Sequence, residues 1–191
     1  HTALRRQRQM CIRDSFSGAE KEAHYLIDGL AKNEVVRSEL HSSDSHGYTE
    51  AVFGISHLLG FSFAPRIKNI HKQQLYGAKV RSYYARKGYQ VLPKQKTGFD
   101  KIRKHKDDIL RMVASIGIGE VTASQIIRKL KSYAEVNNEL YDAIKEFGRI
   151  IKTIFILRYI DNQELREAIQ KQLNKGENGN KMDRALILGR M

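Results

Sequence analysis

The chain has 191 residues, 41% of them hydrophobic, which is enough for one sizeable domain with a real core and argues against a disordered tail. Its 34 Lys and Arg against 21 Asp and Glu give a formal charge of +13, so a polyanion is a better partner than a neutral small substrate. No run approaches the roughly 18 uncharged apolar residues of a membrane span, the first residues lack the apolar centre of a signal peptide, and the single Cys11 permits neither an internal disulfide nor a Cys-based metal cluster; the expectation is a soluble, intracellular protein that does not enter a membrane.

The first fifteen residues stand apart. Arg5-Arg6-Gln7-Arg8-Gln9-Met10-Cys11-Ile12-Arg13-Asp14-Ser15 resembles a translated sequencing-library adapter, so residues 1–15 are set outside the fold and the domain is expected over residues 16–191. Without that resemblance they read as a basic arm for DNA, and the rest of the chain is basic without them.

From there the elements follow in order. Ser17 and Gly18 precede a helix over residues 19–32 whose Ala23, Leu26, Ile27 and Leu30 form a stripe expected to face a sheet. Residues 34–41 alternate weakly like a strand, and Ser42-Ser43-Asp44-Ser45 ends it, placing Asp44 just beyond the strand's C-terminal end. Ala51, Val52, Ile55, Leu58 and Leu59 then make a helical stripe stopped by Gly60, and Phe61 and Phe63 alternate like a short strand ended by Pro65. Residues 66–106 are rich in Lys, Arg, Gln and Tyr without an apolar period, and read as a solvated excursion.

Helical spacing resumes with Ile109, Leu110, Val113 and Ile116, breaks at Gly117 and Gly119, and continues through Ile126, Ile127, Leu130 and Tyr133. A longer stripe joins Leu140, Ile144, Phe147, Ile151, Ile154 and Phe155, and another joins Leu165, Ile169 and Leu173 in a segment expected to end at Asn174 and Gly176. Ala185-Leu186-Ile187-Leu188 is an apolar run whose continuation should bury it, so Met191 is expected to be a truncation point.

Several motifs, in order, carry a resemblance. Asp44-Ser45-His46-Gly47-Tyr48-Thr49-Glu50 is followed by Phe53-Gly54, Leu58-Leu59-Gly60-Phe61 and Phe63-Ala64-Pro65-Arg66. Further on come Asp108-Ile109-Leu110-Arg111, Ser115-Ile116, Gly148-Arg149-Ile150-Ile151-Lys152-Thr153 and Leu173-Asn174-Lys175-Gly176-Glu177. From about residue 19 to residue 190 the chain resembles the catalytic domain of Tn3-family transposases, which carry a DDE triad on an RNase H-like fold. The resemblance implies an α/β, mostly helical class: a partial RNase H-like core with a helical insertion over roughly residues 67–145.

It further implies that Asp44 and Glu177 are the second and third acids of the triad, catalytic and metal-ligating, holding Mg2+ or Mn2+. Hard divalent cations prefer carboxylate oxygen, and a pair of them stabilises both the attacking and the leaving oxygen of a phosphodiester exchange. The implied reaction is nicking of transposon ends and joining of their 3′ hydroxyls to target DNA, with replicative transposition by a homodimer in a bacterial cytoplasm, nucleoid-associated when on DNA. Arg66, Arg149, Lys152 and Lys175 are the candidate phosphate contacts. The first acid has no counterpart upstream of residue 19 except Asp14 in the adapter-like segment, so this chain alone is expected to be inactive. Lys106 stands where the family carries a Trp, a departure that touches packing rather than chemistry.

Blander readings stand beside these. Asp44 by itself is an Asp in a Ser-rich turn, Glu177 an acid near a helix start, and His41 with His46 lack the third ligand of a zinc site. Arg149 and Lys152 equally suit a salt-bridging role, residues 94–106 a solvated basic face, and Tyr83, Tyr84 and Tyr89 either local packing or base stacking. The competing class is a non-enzymatic basic DNA-binding or helical assembly module.

Overall fold

Thr49 begins a helix that contributes the centre of the hydrophobic core. In the computed structural model, residues 27–29, 42, 48–132 and 138–188 are described, with side chains as far as residue 178. Helix α1, Glu50–Leu58, is capped by the Thr49 hydroxyl, which accepts from the Val52 N–H at 3.4 Å, and an acid in its first turn suits the positive end of the helix. Six consecutive residues from Ala51 to Ser56 are buried, which only a helix covered on all sides can achieve.

Gly60, at φ +82°, ends α1 in a left-handed turn: the Gly60 N–H donates to the His57 carbonyl and the Phe61 N–H to that of Ser56. The strand expected at Phe61 and Phe63 does not form. That cap uses the Phe61 N–H, and Phe63 makes only an isolated bridge, its ring turned into the core 5.1 Å from Phe53.

Residues 66–106 are largely exposed, as expected, yet they are not free of the body. They hold a 3-10 turn at Ile70–Lys72, β1 at Tyr76–Gly77, α2 at Arg81–Arg86, β2 at Gln95–Lys96 and α3 at Phe99–Lys104. Strands β1 and β2 pair in parallel, Tyr76 opposite Gln95 and Gly77 opposite Lys96. They are the only strands among the described residues; the strand expected at residues 34–41, and with it Asp44, lies outside them.

Helices α4, Lys106–Gly117, and α5, Ala123–Ser132, meet at Gly119, whose φ of +80° permits the same kind of cap that closes α1. Thr122 and Gln125 cap α5 reciprocally, each backbone N–H donating to the other's side-chain oxygen at 3.2 and 3.3 Å. The long helix α6, Glu139–Asp161, starts at Asn138, whose side chain accepts from the Tyr141 N–H at 3.1 Å.

Asn162 then turns the chain into α7, Gln163–Leu188, accepting from the Leu165 N–H at 2.9 Å. Arg166 reaches back to donate to the Tyr159 and Ile160 carbonyls that α6 leaves open, both at 2.7 Å. The expected stop at Asn174 and Gly176 is overturned: α7 runs straight through both. Each costs helix propensity, about 1 kcal/mol for the glycine, but neither removes a backbone donor, and Gln170 donates to the Asn174 side chain one turn earlier at 2.8 Å.

The described part is thus mostly helical, with one core. Val52, Phe53 and Ile55 of α1 meet Ile109 and Ile116 of α4, Ile127 of α5 and Tyr141 and Ile144 of α6, with Ile27 also in the cluster.

Candidate functional site

Of the two expected acids, Glu177 is described and Asp44 is not. Glu177 lies in the middle of α7, exposed, with Lys175 exposed two residues before it and so pointing elsewhere around the helix. No three His, Cys, Asp or Glu side chains converge on a metal-sized site among the described residues. A hard cation requires about six oxygen donors, and Glu177 alone falls well short, so the described residues do not by themselves make the metal site.

What the structure does bring together is two of the motifs. The residues that follow Asp44, Tyr48-Thr49-Glu50, are clamped against the Gly148-Arg149-Ile150-Ile151-Lys152-Thr153 stretch of α6, about 100 residues later. Gly148 makes the approach possible: a Cβ built on it would overlap the Glu50 carbonyl group, so only glycine fits. On α1, a Cβ on Gly54 would stand 3.3 Å from the Gly148 N and Cα atoms, so the two helices cross glycine on glycine.

One turn along α6 from Gly148, Lys152 donates to Glu50 Oε1 at 3.3 Å and lies 5.4 Å from the centre of the Tyr48 ring, with its side chain only 12% exposed. Arg149 pairs with Glu146 and covers the Tyr76 ring at 4.8 Å, while its Nε is buried without a hydrogen-bond partner among the described residues. The buried hydroxyl of Thr153 accepts from the Tyr76 N–H at 3.0 Å, fixing β1 to the same helix. Beside it, Glu146 Oε2 accepts from the Gly98 N–H at 2.9 Å and holds the start of α3.

The electrostatics follow from this packing. Burial disfavours the Glu50 charge, but its own backbone N–H, Lys152 and Arg149 together outweigh that penalty and hold its carboxyl below the ordinary glutamate range. Burial, followed by the Glu50 charge, pushes the phenols of Tyr48 and Tyr141 up. Arg66 sits half-buried just after the buried Ala64 and Pro65. The structure therefore gathers Arg149 and Lys152 on one stretch of α6 and leaves Lys175 on an open surface of α7.

Sequence reasoning passed over Glu50, Thr153 and Asp28. Asp28 is buried, and its carboxylate accepts from the Ser124 N–H at 3.0 Å and from the Ser124 hydroxyl, closing the N-terminus of α5 from 96 residues away. Nothing local marks such a partner; only the Thr122-to-Gln125 capping spacing was there to be read.

The family model described as the Tn3 transposase DDE domain matches residues 2–191. The chain is 40% identical over 171 residues to the transposase for transposon Tn1546 of Enterococcus faecium, covering 89% of this chain and 17% of that protein. It is 41% identical over 173 residues to the transposase for transposon Tn3926 of Escherichia coli, and 39% identical over 178 to that for transposon Tn501 of Pseudomonas aeruginosa, in each case covering 90% of this chain. The chain spans 17% of the length of each of these curated relatives. With a whole-chain match to the family and the two motifs joined across α1 and α6, the chain belongs to the Tn3 transposase DDE domain family.

Proposed function

We propose that this chain is part of the catalytic core of a transposase that nicks transposon ends and joins the freed 3′ hydroxyls to target DNA, in replicative transposition. The observation that carries the reading is the match to the Tn3 transposase DDE domain over residues 2–191. In this reading residues 16–191 form part of an RNase H-like domain with an insertion over roughly residues 67–145. Asp44 and Glu177 are two of its three acids and hold Mg2+ or Mn2+, ions that supply charge neutralisation at the attacking and leaving oxygens. The complete protein acts as a homodimer, nucleoid-associated when bound to DNA.

The chain's own residues then have separable tasks. The α1–α6 crossing fixes Tyr48, Thr49 and Glu50, the described end of the motif that contains Asp44. Lys175 and Arg66 contact phosphates. Arg149 and Lys152 contribute less to DNA affinity, because Glu146 and Glu50 compete with phosphate for them.

The test is strand nicking of transposon-end DNA by the longer transposase that contains these residues, with Mg2+ or Mn2+. Asp44→Asn and Glu177→Gln are each expected to abolish nicking while leaving DNA binding in place. Nicking retained by both variants would refute the reading and leave the non-enzymatic binding module. The 191-residue chain alone, with two of the three acids, is expected to bind DNA without cutting it.

A further inference from the structure

From residue 51 to residue 99 the chain contains nine Lys and Arg and no Asp or Glu. Surface segments of ordinary domains interleave both signs, so an acid-free stretch of this length is a strong local field for a polyanion. Within it, Lys79, Arg81, Arg86 and Lys87 are exposed, and none of the four is paired with a carboxylate among the described residues.

The same stretch holds aromatic rings out to solvent on a stiff mount. Tyr84 is the pivot: its hydroxyl accepts from the Ala78 N–H at 3.0 Å and the Lys79 N–H at 3.4 Å. Its ring meets Tyr83 edge-on at 5.5 Å and Tyr89 at 5.8 Å. Gly88, at φ +77°, reverses the chain so that Tyr89 folds back onto that ring. Gly77 has no room for a Cβ, which would stand 2.8 Å from both Tyr84 and Pro93. The mount is in turn tied to α6 through Thr153 and Arg149. Yet Tyr89 is 60% and Tyr83 39% exposed, a costly display of ring surface unless something covers it.

We propose that this tyrosine platform between β1 and β2 binds single-stranded DNA, Tyr89 and Tyr83 stacking on unpaired bases while Lys79, Arg81, Arg86 and Lys87 hold the phosphates. The choice of single-stranded over duplex DNA follows from the rings: base faces are hidden inside a duplex and open only where strands are unpaired, whereas phosphates are available in both. The proposal rests on reading the chain as a domain that works on DNA, and adds to that reading a contact surface made of residues other than Asp44 and Glu177.

The test is fluorescence anisotropy of the full chain with labelled oligo(dT), a duplex of equal length and oligo(U), all in EDTA so that cleavage plays no part. Tyr89→Ala is expected to weaken oligo(dT) binding by about tenfold and leave duplex binding unchanged, while Tyr89→Phe retains it. Arg81→Gln with Arg86→Gln is expected to weaken both DNA probes and flatten the salt dependence. Unchanged thermal unfolding of each variant shows that the fold is intact, as expected for exposed side chains. Equal loss for oligo(dT) and duplex, no loss at all, or tighter binding of oligo(U) than oligo(dT) would overturn the proposal. Because binding is read without metal, its failure leaves the nicking experiment standing, and failure of nicking leaves this one standing.

Discussion

Gly148 of α6 lies so close to the backbone of Glu50 that a single added methyl group would overlap the Glu50 carbonyl. The obstacle is main chain at the first turn of α1, which cannot rotate aside as a side chain can. Gly148→Ala therefore has to push α1 off α6, and the Phe53 and Phe155 rings, 5.5 Å apart across the same contact, separate with it. Alanine gains about 1 kcal/mol of helix propensity, but overlap with rigid main chain puts the overpacking cost at or above the top of the usual 1–3 kcal/mol and outweighs it. The expected outcome is a net loss of about 2 kcal/mol or more in chemical denaturation. Gly54→Ala, whose Cβ would stand at 3.3 Å, should cost clearly less. Equal stability of Gly148→Ala and the parent would show that the helices do not cross this closely.

The pairing of Glu50 with Lys152 predicts an acid-sensitive contribution to stability. Because the folded-state carboxyl titrates below its ordinary value of 4.5, the stabilisation is fully present above that value and is lost as pH falls through the lower folded-state value. Thermal unfolding of the parent and Glu50→Gln should differ most near neutral pH and converge only once the pH has fallen below the folded-state value, itself under 4.5. Lys145 holds Asp142 low, and Lys104 does the same for Glu139, but the first pair is only half-buried and the second exposed, so salt weakens both. The Glu50 difference, with Lys152 only 12% exposed, should persist in high salt.

These relationships mark where the sequence was legible and where it was not. Apolar spacing and the stop at Gly60 located α1, and the same spacing located α4, α5 and α6, because amphipathic helices carry their burial pattern in consecutive residues. Gly176 was misread as a stop: a glycine's role depends on whether neighbours hold the helix around it, which local spacing does not encode. Gly148 was noticed only as part of a motif, since what it meets is Glu50, far away in the chain. For the same reason nothing paired Lys152 with Glu50, or Tyr76 with Thr153, although every one of these but Tyr76 lay in a quoted motif. Strands of two residues, such as β1 and β2, have no period to detect.

Asp28 supplies a prediction that separates charge from shape. Its carboxylate satisfies the Ser124 N–H and hydroxyl at the start of α5, where the helix dipole also favours an anion. Asp28→Ala is expected to cost about 1–2 kcal/mol, the range of lost caps, with Asp28→Asn recovering part of it because the amide oxygen still accepts. Denaturant midpoints of the two variants check the order. A reversed order, or no effect from either, would mean that Thr122 and Gln125 suffice to cap α5.

Gly176 offers the opposite case to Gly148. It lies within α7 with open space where a Cβ would be, so a methyl group there meets nothing. Gly176→Ala should add about 0.5–1 kcal/mol of stability, partly by restricting the unfolded chain, and should raise helix content measured by circular dichroism. The change also bears on Glu177, the next residue. If α7 is continuous through this point, stiffening it leaves the carboxylate where it is, and metal-dependent nicking by the longer transposase should fall by no more than about twofold. A large loss of nicking with increased stability would show that the helix must open at Gly176 for Glu177 to act.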